Sequence, residues 1–238
     1  MSAFLYGVAL QWKLDIRSKT MLITCYLVPL MFFAFMGGIF TSINPEAHHT
    51  IIQSMTVFGV SMGALIGLPP PLVEIYGGNI KNVYKVNGVP LFLGVVTHVI
   101  SAFIHLFMMS IIILVVAPIT FNATIPKNLP VYVGSLIVFI ATTLSIGSAL
   151  GVLVKNISKL TMISQIVFLP SIMLSGIMFP IEMLPKGFEE VGKVLPATWG
   201  YRLMTCEKFE VAFLIPLIVI LLVFVMVCGW VLVRIVRR

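Results

Sequence analysis

Residues 69–90 read PPPLVEIYGGNIKNVYKVNGVP, a short polar passage with two lysines set between two long apolar runs. Each of the three prolines removes a backbone donor and crowds the preceding turn, so the run before them is expected to kink or end near Pro69–Pro71. After Gly77 and Gly78, the stretch NIKNVYKVNGV suits two or three helical turns, with Ile80, Val83 and Tyr84 on one side and Lys81 and Lys85 nearby. Pro90 fits the first turn of the helix that follows. Two readings stay open at this point: an amphipathic bend resting on lipid headgroups, or a short docking helix for a cytoplasmic partner.

Outward from this passage the chain is apolar. Of 238 residues, 60% are hydrophobic and 10% charged, against about a quarter charged in soluble domains. A bilayer core takes roughly 20 apolar residues in a helix. Six runs meet that need, over residues 20–40, 52–73, 90–117, 131–154, 160–178 and 211–233, with no Asp, Glu, Lys or Arg in their interiors. Asn44–Pro45, Gly77–Gly78, Pro118, Pro126, Pro130, Asn156, Pro180 and Pro185 punctuate the gaps. The expectation is a single all-α integral membrane domain over 1–238, with six transmembrane helices. Two polar segments separate spans at length, residues 74–89 and 179–210.

The net charge of +7 follows the topology and is no nucleic-acid footprint. With both termini inside, the inner side holds Lys13, Arg17, Lys19, Lys81, Lys85, Lys155, Lys159, Arg234, Arg237 and Arg238 against only Asp15 and Glu74. The outer side holds five basic residues against six acidic ones, as the positive-inside rule requires. No small-residue cleavage site follows the first run, so the first span reads as a retained anchor. Phe4, Val8, Trp12 and Ile16 recur at steps of four, with Gln11, Lys13, Asp15 and Arg17 elsewhere. This pattern suits a helix in the cytoplasmic interface, the alternative being a basic leader.

Within the membrane, Gly59, Gly63 and Gly67 form one small-residue stripe, and Thr143, Gly147 and Gly151 another. Such stripes admit close helix approach, within one subunit or at a subunit interface. Pro170 interrupts the fifth run, and Ser171 and Ser175 are placed to satisfy freed backbone groups. Met173 and Met178 beside it offer an adaptable apolar surface. With Pro170, Ser171 and Ser175 they make a candidate substrate path, against a plain packing role. His98 and His105 lie two turns apart, about 10 Å along one helix face, too far to share one metal. Hydrogen-bonded packing fits them better than proton handling.

Chemistry is otherwise sparse. The chain has no GxxxxGK[ST] loop, no HExxH and no GxSxG elbow, so no ATP, metal or nucleophile site is expected in it. Cys25, Cys206 and Cys228 have no pairing or metal spacing. The spans lack the buried carboxylates that ion-coupled carriers use. The outer segment, FPIEMLPKGFEEVGKVLPATWGYRLMTCEKFE, is expected to form two short helices split at Pro196 on the bilayer surface, with Trp199 and Tyr201 at headgroup depth.

The order of these features resembles the six-span permease subunits of ATP-binding-cassette exporters, the ABC type-2 group, over nearly the whole chain. The likeness rests on the N-terminal helix, on Glu74 followed by Gly78 and a short basic helix, and on MLSGIMFPIEMLP. In that last segment Ser175, Gly176, Phe179, Pro180, Leu184 and Pro185 stand at the family's signature positions. The IKNVYKVNGVP stretch is similar to the corresponding loop of the lipid-exporter branch. Asn79 stands where the family usually has Thr, and the proline run is unusual.

The resemblance implies a pair of permease subunits, identical or different, above two separate cytoplasmic ATPase subunits that would hold ATP and Mg. The chain itself would carry no cofactor and no catalytic group. Glu74, Gly78, Ile80, Lys81, Val83, Tyr84, Lys85 and Gly88 would form the coupling helix and its flanks, beside the interfacial helix of Phe4, Val8, Trp12, Ile16 and Arg17. An amphipathic drug, antimicrobial peptide, lipopeptide or lipid would leave a bacterial cell through the plasma membrane. A scaffold that recruits a cytoplasmic protein without transport is the main alternative, and an ion-coupled carrier a weaker one.

Overall fold

Backbone in a bilayer has no water to bond, so a spanning segment must satisfy its own N–H and C=O groups. The computed structural model describes residues 3–43, 45–178 and 181–236, and among them every regular element is a helix. Asn44, Phe179, Pro180, Arg237 and Arg238, all used in the sequence reading, lie outside the described residues. Helix α1 is Ala3–Arg17. The long helices α2 (Lys19–Ile43), α3 (Ile51–Gly77), α5 (Phe92–Phe121) and α6 (Leu129–Leu153) follow, with α4 (Ile80–Val86) between α3 and α5. Then come α7 (Ile157–Met173), α8 (Lys186–Gly192), α9 (Pro196–Thr205) and α10 (Val211–Val236).

By length and composition, α2, α3, α5, α6 and α10 can cross a membrane. Helix α7, expected over 160–178, has 17 residues, about 26 Å of helix against a core of about 30 Å. It runs through Pro170 and stops at Met173, where Leu174–Gly176 turn and Gly176 takes a left-handed φ of +87°. Asn156 starts it by accepting from the amides of Ser158 and Lys159 at 2.9 and 3.2 Å, a side-chain N-cap.

Helix α3 is the centre of the bundle: 89% of its most apolar stretch is buried, against 11% for α10 on the rim. The proline run does not end it. A π-turn over Gly63–Gly67 comes first, closed by the Leu68 amide to the Gly63 carbonyl at 3.0 Å, and Pro69–Pro71 then occupy the first turn of the renewed α-helix. There a missing N–H costs least. The helix therefore continues to Gly77 and carries Glu74 and Tyr76 on its last turn.

Both small-residue stripes are consumed inside the subunit. A Cβ on Gly147 would overlap the Ala64 carbonyl oxygen, and one on Gly151 would stand 2.9 Å from the Pro69 oxygen and 2.7 Å from Leu72. On the other side of α3, Gly59 meets Met109 and Pro29, Gly63 meets Leu106 and Cys25, and Gly67 meets Thr24. Thr24 and Cys25 belong to a second π-turn, Ile23–Leu27 in α2, so the two π-turns face each other. The buried hydroxyls of Thr56 and Tyr132 join α3 to α6 at 2.9 Å.

The outer helices differ from expectation. Helix α9 leaves the surface and wedges into the bundle. Gly200 lies directly against the Phe139 ring, and Ser135 donates to the Leu203 carbonyl at 3.3 Å. Ala197, Thr198, Leu203 and Met204 are buried, while Trp199 and Tyr201 are half-buried and packed on the core. An apolar helix face that finds a groove in protein gains packing that lipid does not supply.

Gly147→Ala should be a severe lesion, because the new methyl meets backbone rather than a mobile side chain. A loss of about 3 kcal/mol or more is expected, at the upper end of overpacking costs. Thermal unfolding in detergent reads it against Gly187→Ala, where a Cβ meets nothing within 4 Å. Equal behaviour of the two variants would contradict the seam.

Candidate functional site

The site begins at Tyr76 on the last turn of α3. Its hydroxyl donates to the Leu91 carbonyl and accepts from the Val95 amide, the latter at 3.1 Å. One buried phenol thus ties the end of α3 to the start of α5 and fixes both roots of the intervening segment. Nothing in the sequence separates Tyr76 from an ordinary span-end aromatic. Gly78 is required where it stands, since a Cβ would lie 2.6 Å from the Glu74 oxygen. Gly88 leaves α4 at φ +65°, the conformation that favours glycine after a helix end.

Between these glycines α4 shows two faces. Tyr84 is half-buried and packs toward Gly94, Lys81 donates to the Tyr76 carbonyl at 3.2 Å, and Lys85 to the Ile235 carbonyl at 2.8 Å. Both lysines therefore turn back onto the ends of α3 and α10. The outward face is apolar: Ile80 is 43% exposed, Val83 57% and Val86 86%. Tyr84 thus separates from Ile80 and Val83, and Val86 joins them. Glu74 is exposed and borders a cleft with Gly77, Gly78, Lys155 and Asn156.

Helix α1 packs along α5 with a face rotated from the one read in sequence. Phe4, Ile16 and Arg17 are exposed, whereas Gly7, Val8, Gln11 and Trp12 are half-buried and Asp15 is buried. Gln11 donates to Asp15 at 2.8 Å, and Ser101 of α5 donates to the other carboxylate oxygen at 2.5 Å. Trp12 stacks on His105 at 6.2 Å, and His105 Nδ1 pairs with the Tyr26 hydroxyl at 2.8 Å. His98 Nδ1 donates to the Gly94 carbonyl at 2.7 Å. His105 thus joins α1, α2 and α5, while the hydrogen bond of His98 stays within α5. The sequence pattern sets Asp15 off the apolar face, because helical periodicity does not say which edge of a narrow face meets protein.

The residues named for a substrate path separate. Ser171 and Ser175 are buried and bond carbonyls of their own segment, Val167 at 2.6 Å and Ile172 at 3.1 Å. Pro170 and Met178 are half-buried, and Met173 is exposed. The open face of α7 is Met162, Gln165, Ile166, Leu169 and Met173, which places an amide among apolar groups. Of the signature residues, Gly176 makes the corner after α7: a Cβ there would press on Ile181 at 2.9 Å, and Leu184 and Pro185 lead into α8. Phe179 and Pro180 lie outside the described residues.

On the far side from α4, the loops after α5 and α9 are joined by an exposed pair, Lys127 to Glu207 at 2.5 Å. Their hydrogen bond raises the lysine pKa and lowers that of the carboxylate. Lys193 is raised likewise by its hydrogen bonds to Glu190 and Glu189. A pocket of about 350 Å³ opens there, bordered by Gln53, Thr124 and Met204. No group of three or more metal-ligating side chains occurs among the described residues.

The family model described as ABC-2 type transporter matches residues 3–209, which takes in α1 through α9 and stops just short of α10. Neither a curated protein nor a solved structure matches the chain.

Asp15→Ala removes the acceptor of two hydrogen bonds and should cost about 1.5–3 kcal/mol, the range for bonds to charged groups. Adding Ser101→Ala to that variant should cost little more, because the pair is already broken. A thermal-unfolding cycle reads this, and additive losses would show that α1 is not held through Asp15.

Proposed function

The chain belongs to the ABC-2 type transporter family, a multi-pass membrane transport component, and from that premise we propose that it is the permease subunit of an ATP-driven exporter. In this reading α7 completes six spans, both termini lie in the cytoplasm of a bacterial cell, and the plasma membrane houses the complex. Two copies, or this chain and a related one, sit above two separate ATPase subunits that hold ATP and Mg. The exported molecule is amphipathic: a drug, antimicrobial peptide, lipopeptide or lipid.

The observation that carries this reading is the outward apolar face of α4. Ile80, Val83 and Val86 stand clear of their own bundle, at the end of the most buried helix. Exposed valines on a short polar segment have no folding role, and a cleft in an ATPase would desolvate them. Glu74 and Gly78 flank that face, and Lys81, Lys85 and Tyr84 hold it from behind. Closure of the ATPase pair would push on α4 and, through the Tyr76 hydroxyl, on α3 and α5 together. Helix α1, latched to α5 by Asp15, would move with them. The ATPase acts only in so far as it binds the closed arrangement better than the open one.

The open face of α7 supports a second subunit or a substrate path there. An exposed Gln165 facing lipid alone is unfavourable, and the flanking Met162 and Met173 suit a surface that accepts varied apolar groups.

Purified alone, the chain should hydrolyse no ATP. Val83→Glu with Val86→Glu should abolish co-purification with the cognate ATPase and stop transport in vesicles. Unfolding should shift by no more than about 0.5 kcal/mol, as for other exposed positions. Retained transport by a variant that reaches the membrane would refute α4 as the coupling element.

A further inference from the structure

Beside the coupling surface lies a second feature with different chemistry. A cleft of about 380 Å³ opens between the ends of α3, α6 and α10 and the inner side of α4. Among the described residues four cations line it, Lys81 and Lys85 from α4, Lys155 after α6 and Arg234 from α10, and no carboxylate side chain does. Two of these lysines already cap helix ends, Lys81 at the Tyr76 carbonyl and Lys85 at the Ile235 carbonyl. A helix C-terminus carries about half a negative charge, so the three ends offset about one and a half of the four positive charges. The cleft keeps an excess of about two and a half, and each lysine keeps donors beyond the one engaged.

The rest of the lining is apolar: Val152, Leu153 and Val231 lie among the cations. Arg234 stacks over Trp230 at 5.1 Å, and Trp230 is 61% exposed on the rim helix. A Trp–Arg pair at the end of an apolar span marks headgroup depth. Just below it in the membrane, α10 exposes Met226 and Val223, a surface for an acyl chain. A soluble anion would have no use for that surface.

We propose that this cleft binds the phosphate headgroup of an anionic phospholipid as a resident ligand, distinct from anything exported. The lipid would brace α4 against α10 from the side opposite the ATPase. The assignment to the inner leaflet rests on the orientation given under the proposed function, whereas the binding chemistry does not. Basic clefts between spans on the cytoplasmic side favour such headgroups, with about 1 kcal/mol per cation near the surface, which is about fivefold in affinity.

The test uses Trp230 as the reporter, in full-length protein with Trp12→Phe and Trp199→Phe. The protein is reconstituted into phosphatidylcholine vesicles with increasing brominated phosphatidylglycerol, or with brominated phosphatidylcholine as the control. Quenching should show a preference for phosphatidylglycerol that falls about fivefold with Lys155→Gln and again with Arg234→Gln. Lys155→Gln alters no hydrogen bond described above, so a loss there cannot be attributed to misfolding at a helix cap. Equal quenching by the two lipids, or a preference untouched by both substitutions, would overturn the site. Displacement by inorganic phosphate, at an ionic strength where chloride has no effect, would overturn the assignment to lipid. If phosphatidylglycerol preference persists while Val83→Glu with Val86→Glu leaves transport intact, α4 fails as the coupling element and the lipid site stands.

Discussion

Everything in this molecule hangs on one close approach, the backbone of α6 against the backbone of α3. Lipid tails are as apolar as leucine, so helices in a bilayer gain little from burial alone and associate where atoms can meet in number. Gly147 and Gly151 supply the absence of a Cβ at the points where the Ala64 and Pro69 carbonyls pass. The same seam continues to the end of the span, where Gly77 meets the backbone of Lys155. One line of small residues therefore makes α3 the centre and leaves α2 and α10 at the rim. It also brings the root of α4 beside the ends of α6 and α10, so the exposed apolar face of α4 and the basic cleft are both consequences of how closely two helices can lie.

The prolines that open the quoted stretch make sense within this seam. A helix carrying three successive prolines loses donors that a membrane cannot replace with water. The π-turn just before them resets the hydrogen-bond ladder, and it occurs where Gly63 and Gly67 let α2 come near with a π-turn of its own. The result is a span that continues through the prolines and delivers Tyr76 to its lock on α5. A rigid α3 matters for any push applied at α4, because a broken helix would absorb the displacement.

The N-terminal joint adds a polar constraint to these apolar ones. The buried Asp15 carboxylate is answered by two donors, Gln11 and Ser101, and beside it Trp12 stacks on His105, which pairs with Tyr26. Two buried nitrogens in the joint, Trp12 Nε1 and His105 Nε2, have no hydrogen-bond partner. A buried polar network that is only partly satisfied is costly, which marks this joint as the place where α1 is held at the expense of some stability.

Much of this was legible in the sequence. Apolar run length gave the helices and five of the six expected spans, since a bilayer imposes length and composition on any chain that crosses it. The N-terminal helix, Glu74 and Gly78 ahead of a short basic helix, and the MLSGIMFPIEMLP segment pointed to the family before any contact was visible. Periodicity alone does not decide which neighbour a face meets, and there the tertiary structure took over. It turned Asp15 inward and Ile16 outward, drew α9 off the surface into a groove beside Phe139, and set Val86 rather than Tyr84 beside Ile80 and Val83 on the open side of α4. Those outcomes depend on which helices lie within a few ångströms of one another, and that is fixed by the glycine seam acting across more than eighty residues of chain.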